Sequence, residues 1–452
     1  MNDMTTGPIL SKIIHFSVFI FIGGLLQNLY LIIDSIILGH YVGESGIAIV
    51  GVANPINFIV MGFLIGSAYG FGVIMARSFG AGDFKEFRKY FFNSIILSVI
   101  IGIVFTIVLS LVNSYLLELI STPAELFDGA HRFLFILYIG CASSLIYNLF
   151  AATLRSIGNS FTPVLFLLLS VVINAILAYV FVAIFNWGVE GSAVATIIAQ
   201  ATSALCCYIY INRKYPQIRL TKKDTTIDLS YMKNLILQGA PMGMQFSFTG
   251  IGLIVVQKFL NGFGTNYIAG YSVGIRIQNI VSYVYVALGT AISTFISQNI
   301  GAKRMYRIPR AVRSTTLITI GCAIFSTFVI RFYGPNFISL FTTEPNEELT
   351  HATITYFNNV TLAYIPLGLI ILYRSALQGY GFPITAMMAG IIELINRVVI
   401  VIFLTDSFGF LAICLADSVN WVITAIFLLV VYFIASRSHK NKNKEFYIEH
   451  NS

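Results

Sequence analysis

Long apolar runs recur along the whole sequence and constrain its fold more than any other feature. Each run is roughly twenty residues long, enough for an α-helix to cross about 30 Å of hydrocarbon. Only 10% of the 452 residues are charged, against about 25% in soluble domains, so the chain lacks the groups to cover a surface in water. A β-barrel would show short alternating segments instead. The sequence therefore predicts an all-α integral membrane protein, with the first run kept as a span and not removed as a signal peptide.

The apolar runs predict twelve transmembrane helices. They lie near 13–37, 46–76, 91–112, 132–153, 162–184, 189–211, 234–260, 267–297, 312–332, 352–376, 384–405 and 410–435.

Lysine and arginine concentrate in the loops after the second, sixth and eighth predicted spans and in the tail, around 77–89, 212–233, 303–310 and 437–444, whereas the odd-numbered loops are almost free of them. The positive-inside rule then predicts that the even-numbered loops and both termini are cytoplasmic in a bacterial inner membrane. The net charge of +8 thus follows from topology and contact with membrane lipids, and it predicts no nucleic-acid partner.

The two halves of the sequence resemble each other. Gly43–Ile56 aligns without a gap on Gly264–Ile277, and Leu149–Gly158 matches Leu372–Gly381. Each half holds six spans, so both enter the membrane in the same direction, and we expect two parallel six-helix repeats around a central cavity. The predicted units are an N-terminal bundle at 1–211, a cytoplasmic linker at 212–233, a C-terminal bundle at 234–436 and a cytoplasmic tail at 437–452.

An aspartate lies inside the first span. Asp34 shares one helical face with Gln27 and Tyr30, since the three are spaced i, i+3 and i+7. An ionisable side chain at membrane depth costs about 2.5–3.5 kcal/mol on insertion scales, so this face should point into the bundle. Gln27 and Tyr30 are accordingly candidates for lining the substrate cavity. Asp34 is either a working ion site or a structural, hydrogen-bonded carboxyl.

Other polar groups inside predicted spans have less defined roles. Glu393 and Arg397 are four residues apart, which allows a structural ion pair or a working site. Asp417 has no evident partner in the sequence. The amides of Gln245 and Gln257 either line a substrate cavity or bridge helices.

Signatures of catalysis are missing from the sequence. It contains no phosphate-binding P-loop, no HExxH zinc motif and no GxSxG nucleophile elbow. The five cysteines lie in or beside apolar runs without metal-ligand spacing. We therefore expect a protein that is not an enzyme, with no metal, no other cofactor and no obligate protein partner.

The order and spacing of several motifs resemble those of the bacterial multidrug and toxic compound extrusion (MATE) transporters over the whole chain. The motifs are Asp34–Gly39 (DSIILG), Arg77–Asp83 (RSFGAGD), Leu154–Ser160 (LRSIGNS), Gly188–Thr196 (GVEGSAVAT), Gly239–Gln245 (GAPMGMQ), Gln298–Ala302 (QNIGA) and Glu393–Arg397 (ELINR). The resemblance implies export of organic, often cationic and amphipathic compounds in exchange for protons or sodium, by alternating access of the two bundles.

The same resemblance implies roles for individual residues. Asp34 is matched to the coupling carboxylate, and Asn174 and Thr196 are matched to its polar partners. The chain departs from some members at Ala178, where they have a second carboxylate, and at Phe19, where a kinking proline is usual.

A related alternative function is a flippase for a lipid-linked or polysaccharide precursor, which would need a cationic cavity for phosphate. A channel is a further alternative that the sequence leaves open.

Overall fold

The computed structural model describes residues 3–339 and 346–449, with side chains as far as Arg437. Within these residues fourteen α-helices follow one another. They are α1 (Ile9–Tyr41), α2 (Glu44–Gly80), α3 (Phe84–Leu119), α4 (Ala124–Ile139), α5 (Cys141–Ser156), α6 (Phe161–Ala178), α7 (Gly188–Lys214), α8 (Leu229–Leu260), α9 (Thr265–Gly301), α10 (Ile308–Ser339), α11 (Glu347–Val360), α12 (Tyr364–Tyr380), α13 (Pro383–Phe408) and α14 (Phe410–Glu449).

The predicted twelve spans are confirmed within the described residues. Eleven helical segments there are long and apolar enough to cross a membrane, and α4 with α5 makes a twelfth if this pair, bent by 48°, is one span. α11 and α12 form one of the eleven, although a short 3-10 turn at Thr361–Ala363 separates them. The fold is therefore that of an all-α, multi-pass membrane protein.

The outer surface of α3 shows why the chain needs a lipid environment. Leu111, Tyr115 and Leu119 are 80%, 64% and 66% exposed. Exposed apolar area of this extent would promote aggregation in water, whereas hydrocarbon solvates it and the helix satisfies its own backbone polar groups.

The internal repeat is also visible in the backbone conformation of the glycines in turns. Gly43 and Gly264, which the sequence repeat aligns, have φ of +84° and +90°. Gly158 and Gly381, aligned by the second repeated segment, have φ of +84° and +93°. These left-handed conformations are unstrained only in glycine, so the same chain reversals recur at equivalent points of the two halves.

Helix packing divides the chain into two compact units. Unit 1 falls within Met1–Gly250 together with Ser297–Met305, and unit 2 within Ile251–Ile296 together with Tyr306–Ser452. These units are defined by packing, whereas the predicted bundles were defined by the repeat, so the boundaries of the bundles stay a prediction. Of the predicted tail, α14 continues to Glu449 and residues 450–452 lie outside the described residues.

Glycines allow α2 and α8 to cross closely inside unit 1. A Cβ atom on Gly66 would stand 2.5 Å from the carbonyl oxygen of Met242, and one on Gly70 would stand 2.5 Å from the Cα of Gly239. Backbone atoms cannot yield as side chains do, so this crossing requires residues without a side chain.

The segment before α1 is anchored to the end of α9. The amide of Met4 donates a hydrogen bond to Oε1 of Gln298 (2.9 Å), and the guanidinium of Arg304 donates one to the carbonyl of Thr5 (2.7 Å). Met4 is buried. These contacts help to explain why Ser297–Met305 packs as part of unit 1.

The linker between α7 and α8 is held against α3. Arg88 donates hydrogen bonds of 2.8 Å to Oδ2 of Asp224 and to the carbonyl of Gln217. Burial acts to raise the pKa of the Asp224 carboxyl, but hydrogen bonds from Thr221 and Arg88 outweigh it and lower that pKa. The linker is therefore an ordered part of unit 1.

Candidate functional site

A polar cluster lies where α1, α6 and α7 meet inside unit 1. α1 contributes Tyr30 and Asp34, α6 contributes Asn174, and α7 contributes Ser192 and Thr196. Phe19 of α1, at the position where the resemblance implies a proline, packs edge-on against Phe161 of α6 at 5.0 Å between ring centroids. α1 runs through Phe19 as one α-helix, and the hydrogen bond from Ser192 places Asp34 alongside α7.

Thr196 is the centre of this cluster. Its hydroxyl accepts hydrogen bonds from the hydroxyl of Tyr30 (2.5 Å) and from Nδ2 of Asn174 (3.3 Å). It also donates to the carbonyl of Ser192 one turn earlier (3.1 Å). The hydroxyl of Thr196 is thereby saturated, so it ties three helices together and fixes the side chains on either side of it.

The carboxylate of Asp34 lies at the edge of this network. The hydroxyl of Ser192 donates to Oδ1 of Asp34 at 2.6 Å. The Asp34 carboxylate also interacts electrostatically with Tyr30, one helical turn away. Asp34 is half-buried, so the carboxylate is held from one side and remains accessible to a small ion.

A second acceptor oxygen of the cluster is unused. Oδ1 of Asn174 is buried and has no hydrogen-bond partner within the described residues. A buried acceptor without a donor costs about 1–3 kcal/mol, which a proton donor or a cation at this point would offset. One turn later the side chain of Ala178 is fully buried, and Tyr179–Ile184 then continues as a π-helix. Such π-helical turns are frequent at functional sites.

The remaining predicted cavity residues do not join the cluster. Gln27 lies one turn before Tyr30 on α1 with an exposed side chain, and Gln245 is buried in the part of α8 that belongs to unit 1. Gln257 lies in unit 2, and its Nε2 donates to Oδ1 of Asn261 (2.7 Å). The proposed substrate-lining role of these amides stays a prediction.

Ser192 is the member of the cluster that the sequence did not single out. It precedes Thr196 by one turn within the motif GVEGSAVAT and so occupies the same face of α7. That spacing was an available signal. Serine is common in packed membrane helices, however, so the spacing becomes informative only when a partner is known to lie opposite it.

Unit 2 contains a group of buried charges whose pairing differs from the predicted Glu393–Arg397 pair. Nε of Arg397 forms an ion pair with Oδ1 of Asp417 at 3.1 Å, and Arg374 pairs with Glu393. Asp417 thus has the partner that the sequence did not reveal. The four-residue spacing placed Glu393 and Arg397 on one face, where they attract each other electrostatically. Their ion pairs, however, are formed with opposite charges on α12 and α14.

The fold and this site define a class: a multi-pass, all-α membrane protein with polar groups clustered between the helices of one unit, as in secondary transporters. The chain belongs to the MatE family, whose profile matches residues 20–180 and 241–403, one match in each half. It is therefore a membrane transporter of small molecules and not an enzyme.

Several proteins are similar over most of their length. The chain is 27% identical to the probable multidrug resistance protein YpnP of Bacillus subtilis, over 76% of this chain and 77% of that protein. It is 24% identical to the multidrug export protein MepA of Staphylococcus saprophyticus, over 94% and 93%. A solved MOP-superfamily transporter from Pyrococcus furiosus has the same fold, with a TM-score of 0.89 at 19% identity, covering 97% of this chain and 98% of that one.

Proposed function

We propose that this protein exports organic, often cationic and amphipathic compounds from a bacterial cell in exchange for protons or sodium ions. The names of the relatives YpnP and MepA support multidrug export. The observation that supports ion coupling is the hydrogen-bonded cluster around Asp34. An ionisable side chain at membrane depth is costly to insert and commonly marks an ion or substrate site.

In this proposal Asp34 is the group for which the coupling ion and the cationic substrate compete. Ser192 holds one oxygen of the carboxylate, which leaves the other for a proton or a sodium ion. The unused Oδ1 of Asn174 adds a further oxygen to the same cluster through Thr196. Oxygen ligands of this kind suit a hard cation, and a proton needs only the carboxylate.

The transport cycle follows from thermodynamic linkage between ion binding and the conformation of the protein. An ion drives the transporter only if it binds more tightly to one arrangement of the protein than to the other. A negatively charged Asp34 attracts a cationic compound, and neutralisation of Asp34 by an ion from outside releases it. The membrane potential supplies about 2.3 kcal/mol per net charge moved per 100 mV, which corresponds to about fifty-fold for export of a neutral compound against one inward ion. A one-for-one exchange of monovalent cations moves no net charge, and the concentration gradient of the ion drives it instead.

The remaining parts of the proposal concern location and partners. The chain works in the bacterial inner membrane with both termini and the basic loops in the cytoplasm, as the distribution of lysine and arginine predicts. A proton or sodium ion serves as the coupling ion and takes the place of a cofactor. No obligate protein partner and no nucleic acid enters the cycle.

The experiment is ion-driven transport by the purified protein in lipid vesicles. An inward-directed gradient of protons, or separately of sodium, should drive extrusion of a fluorescent cation from the wild type. Asp34→Asn should fold and insert but lose this gradient-dependent transport. Asp406→Asn, a matched change at an exposed carboxyl near the end of α13, should transport as the wild type does. Undiminished transport by Asp34→Asn would remove this carboxylate from the mechanism.

A further inference from the structure

A groove lies on the surface of unit 1 between α6 and α7, close to the end of α7. Its volume is about 420 Å³, within the range of sites for small ligands. It is lined by Phe166, Cys206, Ile209, Tyr210, Arg213 and Lys214. The groove is separate from the Asp34 cluster, since Cys206 lies ten residues beyond Thr196 along α7.

The spacing of the lining residues explains the groove. On α7, Cys206, Tyr210 and Arg213 are separated by about one helical turn each and therefore lie on one face. The rings of Tyr210 and Phe166 meet edge-on at 5.8 Å between centroids and form one wall. The small side chain of Cys206 leaves the space between the two helices unfilled.

The position of the groove along α7 places its two ends in different surroundings. α7 has 27 residues and is about 40 Å long at 1.5 Å per residue, which exceeds the hydrocarbon thickness of about 30 Å. At least one end of α7 therefore extends beyond the hydrocarbon, and the charges of Arg213 and Lys214 favour placing its last turn at the level of the lipid headgroups. Ile209, 41% exposed, and Cys206 lie deeper, at the level of the acyl chains.

The charge at the headgroup end has no ion-pair partner among the described residues. No carboxylate of the described residues forms an ion pair with Arg213 or Lys214. Of the two acidic residues in the neighbouring linker, Asp224 is already paired with Arg88 at 2.8 Å, and Asp228 accepts a hydrogen bond from the backbone amide of Ser230. Both cations are exposed and lie at one end of the apolar groove. The complementary ligand is therefore a lipid with a negatively charged headgroup and an apolar chain.

We propose that this groove binds one anionic phospholipid of the cytoplasmic leaflet. Its phosphodiester contacts Arg213 and Lys214, and one acyl chain lies along Cys206 and Ile209 against the Tyr210–Phe166 wall. Two basic residues near a membrane surface together strengthen the binding of an anionic lipid about thirty-fold. The site selects phosphatidylglycerol over phosphatidylcholine by about this factor.

The first test is native mass spectrometry of the whole protein, released from micelles that contain equal amounts of phosphatidylglycerol and phosphatidylcholine. The wild type should retain one phosphatidylglycerol molecule. The double variant Arg213→Gln and Lys214→Gln should lose it. The control double variant Arg219→Gln and Lys222→Gln, which removes two exposed linker cations outside the groove, should keep it.

Equal loss in both double variants would overturn the site, since a diffuse basic surface would then be enough. Equal retention in both would also overturn it, because the bound lipid would then lie elsewhere.

A second test leaves both cations in place and so does not depend on the folding of the charge variants. Cys206 lines the groove and is partly exposed. In a Cys322→Ala background, which removes the other partly exposed cysteine, a membrane-permeant maleimide should label Cys206. Labelling should be many-fold slower in phosphatidylglycerol vesicles than in phosphatidylcholine vesicles. Equal rates in the two lipids would contradict occupation of the groove by an anionic lipid.

Discussion

Removing one partner of the Arg397–Asp417 pair should destabilise the protein more than any comparable change at an exposed ion pair. The two side chains are 5% and 4% exposed and meet at 3.1 Å. The nearby Glu393 is engaged by Arg374, so an Arg397 that has lost Asp417 cannot simply take Glu393 as a full replacement. The buried guanidinium would keep only the electrostatic attraction of Glu393, which it shares with Arg374.

The magnitude follows from what each substitution leaves behind. Breaking a buried pair by removing one partner costs about 3–5 kcal/mol. Asp417→Asn keeps an oxygen that still accepts a hydrogen bond from Arg397, so we expect about 3 kcal/mol, at the lower end. Asp417→Leu removes both the charge and the acceptor, and we expect about 5 kcal/mol. The double variant Arg397→Met with Asp417→Leu should recover most of the loss, because no buried charge is left unpaired.

The assay is unfolding of the purified protein in mixed micelles, followed by circular dichroism during titration with a denaturing detergent. Arg132 and Glu190 provide the matched control, an ion pair of 2.5 Å whose side chains are 62% and 27% exposed. Glu190→Gln should cost less than about 1 kcal/mol. If Asp417→Asn costs no more than Glu190→Gln, or if the double variant is as unstable as Asp417→Leu, the argument from burial is refuted.

Two further predictions concern unit 1. Gly66→Ala should destabilise the protein by about 1–3 kcal/mol, since its Cβ would stand 2.5 Å from the carbonyl oxygen of Met242. Gly51→Ala, at a helical glycine whose Cβ would meet nothing within 4 Å, should not destabilise the protein. Equal unfolding midpoints for the two variants would contradict the close crossing of α2 and α8. Proteolysis of the linker should stay slow above the ordinary pKa of an aspartate, near 4, because the folded-state pKa of Asp224 is lowered. It should accelerate only as the pH falls through that lowered pKa, when Arg88 loses its charged partner. Acceleration already at pH 5–6 would show that another group anchors the linker.

The polar cluster around Thr196 illustrates how much of the candidate site the sequence predicts. The spacing of Tyr30 and Asp34 placed them on one face of α1, and the family resemblance added Asn174 and Thr196, which the structure brings into one hydrogen-bonded group with Tyr30. Ser192 was missed although it forms the hydrogen bond to Asp34. A helical period shows which residues share a face, but it does not show which face of another helix lies opposite.

What the sequence determined by itself was the membrane class, the number of spans and the internal repeat. These follow from local properties: the length of apolar runs, the rarity of charge and the turn glycines at Gly43, Gly158, Gly264 and Gly381. Only the tertiary structure decided that Arg397 pairs with Asp417 on α14. Which opposite charge pairs with Arg397 depends on the distance between the two groups and on the free-energy cost of desolvating them. A contact between helices that are remote in sequence is fixed only when the helices pack.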